Sequence, residues 1–206
     1  MSTMNLEGSV RDRLLAAANE LFYQEGIHTV GIERVLERAG VAKASLYSTF
    51  GSKDELVRAY LLARHERRQA RINARIARYE DPREKILAIF DLIAELAAEP
   101  NFRGCAFMRA RSEGPAGETR VTQVCTDTRG WTRGLYTDLA RAAGVTDPEE
   151  VGERLMLLYD GAMVGAAMDG GAAAAKVARA MAEELLDTNA TSGPKPKRPA
   201  RGGRKR

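Results

Sequence analysis

Apolar residues recur along this chain at three-and-four spacing almost from end to end. That is the period of a helix with one inward face, and no sustained alternation of the kind a strand needs is present. Val10, Leu14, Ala17, Ala18 and Leu21 share a face behind a Ser9-x-x-Asp12 start signal, and Gly26 stops them. A short second helix is predicted from Ile32 to Arg38, opened by Gly31 and closed by Gly40, where a positive φ costs little. A third runs from Lys43 to Thr49. Ser52-Lys-Asp-Glu55 reads as a full capping box, and no Pro or Gly follows until Asp81-Pro82, which predicts one helix of about 27 residues, roughly 40 Å long.

Two later starts use one device. Asp81-Pro82-Arg83-Glu84 and Asp147-Pro148-Glu149-Glu150 place Asp at the cap, Pro at the first helical position where its missing N–H is no loss, and Glu at the third. The first opens a helix with Ile86, Ile89, Phe90, Ile93 and Leu96 inward, ending before Pro100. The second carries Leu155, Leu158, Tyr159, Ala162 and Ala166. Between them the pattern predicts a short helix over 102–111 and a long one over 116–143 capped by Gly144; a last helix spans 172–186. The expected fold is all-α, about nine helices. Its parts are a flexible start (1–8), a three-helix N-terminal domain (9–57), a larger helical domain (58–188) and a disordered basic tail (189–206) rich in Pro, Gly and Arg.

Composition narrows the function classes. The longest uncharged apolar run, Gly161 to Met168, falls far short of the roughly 18–20 residues a membrane span needs, and the first residues hold no hydrophobic signal core. The expectation is a soluble cytoplasmic protein without a membrane partner. Cys105 and Cys125 form no C-x-x-C pair and read as packed thiols, with a redox-sensing pair as the alternative. The formal charge of +4 is uneven. Residues 58–80 hold seven arginines against two glutamates, and 189–206 hold seven basic residues and no acid. Such asymmetry points toward a polyanionic partner. Most of the arginines of 58–78 read as the wet face of their helix, with His65 exposed among them.

The stretch ERAGVAKASLYSTFGSKDEL, residues 37–56, spends many small polar side chains on a short segment. Two short helices joined through Ala39-Gly40-Val41 and braced by the first have the spacing of a helix-turn-helix, whose second helix enters the DNA major groove. Lys43, Ser45, Tyr47, Ser48 and Thr49 then point outward to phosphates and base edges, while Val35, Leu36, Val41, Leu46 and Phe50 hold the helices together. Here the sequence resembles the tetracycline-repressor (TetR) family of one-component bacterial regulators. Ala39, Gly40, Val41, Lys43, Leu46, Tyr47, Phe50, Ser52, Lys53 and Leu56 match its pattern, and the resemblance covers residues 10 to about 60. The departures are Ala42 for a capping Ser, Ala44 for Gly, Thr49 for a phosphate-contacting His, and Gly31 for Ser or Thr. The resemblance implies a DNA-contacting set of Arg34, Lys43, Ala44, Ser45, Tyr47, Ser48, Thr49 and Lys53.

It also implies what the larger domain does. Phe90, Phe107, Met108, Trp131, Tyr136, Tyr159 and Met163 would be core residues by default. In a TetR-like protein the same helices enclose a ligand cavity, and Met and aromatic walls suit a small apolar or aromatic effector. The last two helices would form a four-helix homodimer interface through Leu158, Ala162, Gly165, Ala166 and Met181, so that a twofold dimer reads a palindromic double-stranded operator. Ligand binding would tilt the fourth helix and change the separation of the two recognition helices. No cofactor, metal or catalytic role is expected. Glu25-x-x-His28 has the spacing of one half of a bundle metal site but spans a helix-stopping Gly and has no second copy, and no phosphate loop or Ser/His/Asp set occurs. Two rivals remain: a non-specific nucleic-acid binder acting through the basic tail, which could equally be a mere solubilising end, and a small-molecule carrier or enzyme with a vestigial motif.

Overall fold

Ser9 Oγ accepts the Asp12 amide and the Asp12 carboxylate accepts the Ser9 amide, each at 3.2 Å, so helix α1 (Val10–Glu25) starts where its capping box predicts. The computed structural model describes residues 8–114, 117 and 119–190. Within them the chain forms eight further helices: α2 (Ile32–Ala39), α3 (Lys43–Phe50), α4 (Lys53–Ile76), α5 (Pro82–Ala97), α6 (Ala106–Glu113), α7 (Arg120–Ala142), α8 (Pro148–Asp169) and α9 (Ala173–Asn189). The all-α expectation holds. Asp81 and Asp147 cap α5 and α8, accepting from Arg83 and Glu150 at 2.9 and 3.0 Å.

Boundaries moved where tertiary contacts outweigh local signals. The box at Ser52 is half made: its hydroxyl accepts the Glu55 amide at 3.1 Å, but the Glu55 carboxylate is drawn to Arg120 at 3.0 Å. Helix α4 stops at Ile76, short of the predicted length, because Arg78 and Tyr79 switch to i→i+3 bonds onto Arg75 and Ile76. Helix α6 begins at Ala106 rather than 102. The chain before it passes so close to α8 that a Cβ on Gly104, at φ +77°, would lie 2.9 Å from the Ala167 Cβ. Helix α7 opens at a Thr119–Thr122 capping box that the pattern reading missed; residues 115, 116 and 118 lie outside the described residues. Helix α9 runs through Asn189, whose carbonyl accepts the Thr146 amide at 2.9 Å, and Ala190 bridges to Val145. The tail assigned to 189–206 therefore begins inside ordered structure; its remainder, 191–206, and residues 1–7 lie outside the described residues.

Two hydrophobic centres result. The first joins Leu14 and Phe22 of α1, Leu46 of α3 and Leu56 and Tyr60 of α4 to Phe107 and Val124 of α6 and α7. The second joins α5, α7, α8 and α9 through Ile86, Phe90, Tyr136, Leu155 and Ala182. Helix α4 contributes to both, and half-buried Cys105 packs against both. Burial pushes the Cys125 thiol up to about 11, which keeps it protonated and favours the packed-thiol reading. Among the described residues no helix is long and apolar enough to cross a membrane.

Helix α8 corrects the expected interface. Ala162 and Ala166 are 1% and 2% exposed, packed inside their own subunit, and half-buried Leu158 leans on the same core. A Cβ on Gly165 would lie 2.6 Å from the Ala174 Cβ at the start of α9, so this glycine permits close approach within the subunit, not between subunits. The outward stripe holds Leu157, Gly161 and Val164, each one position before an expected residue, and Met168; on α9 Val177 and Met181 are exposed, Met181 being the one exposed residue of the expected set.

Candidate nucleic-acid interface and ligand cavity

The turn between α2 and α3 is fixed by Gly40, whose left-handed backbone (φ +62°) lets its amide return to the end of α2, and by Arg13 Nη1, which donates to the Gly40 carbonyl at 3.2 Å. Leu46 is fully buried beneath α3, leaving Ala44, Tyr47, Ser48 and Thr49 exposed and Ser45 half-buried on the outer side. As Ala42 implies, the start of α3 has no side-chain cap. The outer polar groups are occupied locally. Lys43 Nζ meets Glu33 at 2.7 Å and Arg34 pairs with Glu25; each partner raises the cation's pKa through the hydrogen bond it accepts. Ser48 and Thr49 hydroxyls donate to the Ser45 carbonyl at 3.1 and 2.6 Å, which leaves their oxygens as acceptors toward solvent. Tyr47 is 48% exposed, so it stands outward instead of packing fully on α1.

Lys53 departs from its expected place in the contact set. Its ammonium donates to the Ile27 and Val30 carbonyls at 2.7 Å each and lies 5.9 Å from the Phe22 ring centroid. The loop joining α1 to α2 exposes these carbonyls toward the start of α4, and a lysine there completes them. Partial burial lowers its pKa.

A cavity of about 550 Å³ opens between α1, α4, α5, the 101–105 segment and α8, within the size range of ligand pockets. Of the seven expected lining residues it takes in Phe107, Tyr159 and Met163. Phe90 and Tyr136 are instead fully buried and stacked at 5.9 Å in the second core, and Trp131 meets His65 edge-on at 5.8 Å. Met108 lines a separate, smaller cavity of about 390 Å³ with Phe107 and Tyr159. Ile72, Ile89 and Ile93 supply an apolar floor; the sequence places Ile89 and Ile93 on an inward helix face and singles out no role for Ile72.

The arginines of α4 are the larger correction. Arg64, Arg67, Arg68 and Arg71, one apart from the next by three, one and three positions, all line this cavity, with Glu99 the one carboxylate among the lining residues. Arg64 lies over the Tyr23 ring at 3.8 Å and donates to Asn19 Oδ1 at 3.0 Å. Arg68 donates to Thr132 Oγ1 at 2.6 Å and lies 4.9 Å from the Tyr159 ring centroid. His65, expected to be exposed, is half-buried between Phe107 and Trp131, and desolvation followed by the Arg68 charge lowers its pKa. The periodicity of long polar side chains signals a helix face but cannot tell water from a cavity.

The cavity abuts the joint between the helix-turn-helix and the rest. Tyr23 and Gln24, at the end of α1, are both lining residues. The Tyr23 hydroxyl donates to the Gly104 carbonyl at 3.1 Å and accepts the Arg103 amide at 3.0 Å, and Gln24 Nε2 donates to the Asn101 carbonyl at 3.1 Å. From α6, Glu113 accepts the Ile27 and His28 amides at 2.8 and 3.3 Å, and Arg109 donates to the Tyr23 carbonyl at 2.6 Å. Among the described residues no group of three or more His, Cys, Asp or Glu is placed to hold a metal ion.

Residues 14–60 match the family described as bacterial regulatory proteins, tetR family. Over 55 residues the chain is 47% identical to the HTH-type transcriptional activator FasR of Mycolicibacterium smegmatis, a stretch that covers 27% of this chain and 25% of that protein. The chain thus spans about a quarter of that relative's length. Similarity to solved structures runs much further. A TetR-family transcriptional regulator of Streptomyces coelicolor is 31% identical, with a TM-score of 0.81 over 88% of this chain and 96% of that one. A TetR-type regulator of Streptomyces avermitilis is 29% identical, with a TM-score of 0.79 over 88% and 98%.

Proposed function

Because the chain belongs to the TetR family of bacterial transcriptional regulators, we propose that it acts as a cytoplasmic homodimer that holds a palindromic operator and releases it when a small molecule fills the α1–α4–α5–α8 cavity. Residues 9–57 form the DNA-binding head and 58–188 the ligand-binding and dimerising body. The observation that carries this reading is the double position of Tyr23 and Gln24, which belong to the head's first helix and to the cavity wall at once. A ligand pressing on that wall displaces α1 and α4 relative to the body, and each recognition helix moves with them. In a dimer the two α3 helices must sit about 34–36 Å apart to enter successive major grooves, so a small tilt lowers affinity. Where the operator overlaps a promoter, the outcome is repression relieved by ligand.

Base and phosphate contacts fall to Ala44, Ser45, Tyr47, Ser48 and Thr49, with Lys43 and Arg34 exchanging Glu33 and Glu25 for phosphate. Both exchanges are cheap, because these ion pairs are exposed and screened by solvent. The dimer forms through the outward stripe of α8 and α9, whose Leu157, Met168 and Val177 are 58%, 80% and 61% exposed in one subunit.

The test is a footprint of the full chain on the DNA upstream of its own gene, followed by titration of a Lys43→Ala/Tyr47→Phe variant. The expected result is one protected palindrome and a loss of about 1–3 kcal/mol for each lost contact, with the melting temperature unchanged. Binding without a preferred sequence and with a steep salt dependence would instead identify a non-specific nucleic-acid binder. Unaltered affinity of the folded variant would remove α3 from the interface.

A further inference from the structure

We infer that the cavity selects an organic anion, a carboxylate or similarly charged head on an apolar body, in place of the uncharged apolar or aromatic effector that the sequence suggests. The inference rests on the cavity being the effector site, and it adds the ligand's charge.

Four guanidinium groups on one face of α4 meet a single carboxylate, Glu99, in the cavity lining. Among the described residues neither Arg64, Arg67 nor Arg68 has an acidic partner; Arg71 and Glu99 pair at 3.4 Å with both side chains more than half exposed. Elsewhere arginines of this protein find carboxylates readily, as Arg75 does with Glu95 and Arg129 with Asp160. Arg64, Arg67 and Arg68 thus belong to the minority of described arginines that have no carboxylate partner. Arg68 is the most telling of them. Its Nε is buried without an acceptor, while its Nη2 donates to Thr132 Oγ1 and its guanidinium lies over the Tyr159 ring, so the group is held in place with a buried donor unmet. A buried unsatisfied donor on a charged group is costly, and an acceptor that a ligand brings to this guanidinium lowers that cost. Guanidinium forks match the spacing of carboxylate oxygens, which makes an anionic head the natural occupant.

The rest of the lining sets the other end of the ligand. Ile72, Ile89 and Ile93 are buried, and Met163 and the Tyr159 ring also line the cavity, so these residues offer apolar contact to an alkyl chain or a flat ring. At the mouth, exposed Arg67 and Arg71 place positive charge where an incoming anion meets it first, which raises its local concentration. A cationic effector would be repelled by the same groups. A neutral one offers an acceptor but leaves the guanidinium charge without a counter-ion. The apolar floor without the arginines would have suited the uncharged effector; the arginines decide against it.

Calorimetry on the full chain without DNA tests this with two acids, decanoate and naphthalene-2-carboxylate, and their neutral amides, decanamide and naphthalene-2-carboxamide. At least one acid is expected to bind ten-fold or more tightly than its amide, with the gap narrowing as salt is raised. Arg68→Gln should close the gap, and Arg71→Gln, at the exposed mouth where folding is not at stake, should reduce it several-fold. Equal affinities for acid and amide, binding by neither acid, or an undiminished gap in both variants overturns the inference. A gel shift on the upstream DNA, run on the same samples, separates the two readings. A protein that binds DNA but neither acid refutes the anionic ligand alone, whereas one that binds an acid but no DNA refutes the regulator.

Discussion

Lys53 and His65 owe their states to neighbours far away in sequence. Lys53 satisfies two carbonyls of the α1–α2 loop, so Lys53→Met, which keeps the aliphatic stem over Phe22, strands both. The expected loss is about 1–3 kcal/mol, read as a lower denaturation midpoint; a pure phosphate contact would leave stability untouched. For His65 the direction of the shift gives the sign. Desolvation and Arg68 hold its folded pKa below the usual 6.5, although Glu66 and Asp127 act the other way, so near that pH the unfolded chain binds a proton that the folded chain refuses. Stability therefore falls as pH drops through the region below about 6.5. The hydrogen-bonded carboxylates of Asp12, Glu25 and Glu95, whose folded pKa values are lowered from 3.8 or 4.5, lose their contribution only at more acid pH. Denaturation midpoints between pH 7 and 5 should fall less steeply in His65→Gln than in the wild type. Equal slopes would mean that His65 titrates normally.

Helices differ in how much of themselves they announce. Starts made by local chemistry, at Ser9, Asp81 and Asp147, were legible because the cap and the amide that donates to it lie within three residues of each other. So was the outer face of α3, where Leu46 alone points fully inward among polar neighbours. Helix α8 was not legible in rotation: it is apolar on nearly all sides, and two stripes offset by two residues, Leu155–Tyr159–Ala162–Ala166 and Leu157–Gly161–Val164–Met168, are equally good by pattern. Packing against α5, α7 and α9 decides between them. The cavity arginines were misread for a related reason, since an arginine stem covers apolar surface equally well at a water boundary or a cavity wall. The two stripes make opposite predictions. A Cβ at Gly161 meets nothing within 4 Å, so Gly161→Glu should leave the subunit folded while placing an unpaired charge in the dimer face, at a cost of several kcal/mol. Gly165→Glu should disrupt the α8–α9 contact inside the subunit. Sedimentation equilibrium with parallel melting curves should show a stable monomer for the first and a destabilised chain for the second; an intact dimer of Gly161→Glu would move the interface off this stripe.

Across the whole molecule, the two cores meet along α4 and at the 101–105 segment, where Gly104 accepts from Tyr23 of α1 and Cys105 packs against both, and this is where the proposed ligand and DNA sites would communicate. Two contacts could carry the message. One is the cavity wall itself, through Tyr23 and Gln24. The other is the clasp by which Glu113 and Arg109 of α6 hold the α1–α2 loop, since Ile27 and His28 hang from one carboxylate and the Tyr23 carbonyl from one guanidinium. Glu113→Gln removes the charge while keeping the side chain's size, and the neutral amide is a weaker acceptor for two amides. The cavity does not include Glu113, so ligand affinity measured without DNA should change less than two-fold. Coupling between distant sites is typically worth 1–3 kcal/mol, about 5–150-fold in affinity. If the clasp transmits it, the ratio of operator affinities without and with a saturating cavity ligand, decanoate where it binds, should fall several-fold in the variant. Operator affinity without ligand should change little, because the α3 contacts are distant from the clasp. Faster hydrogen exchange at the Ile27 and His28 amides would verify that the clasp had loosened. An unchanged ratio despite that loosening would assign the coupling to the Tyr23 wall, where Tyr23→Phe, which deletes the bonds to Gly104 and Arg103, should then lower it instead.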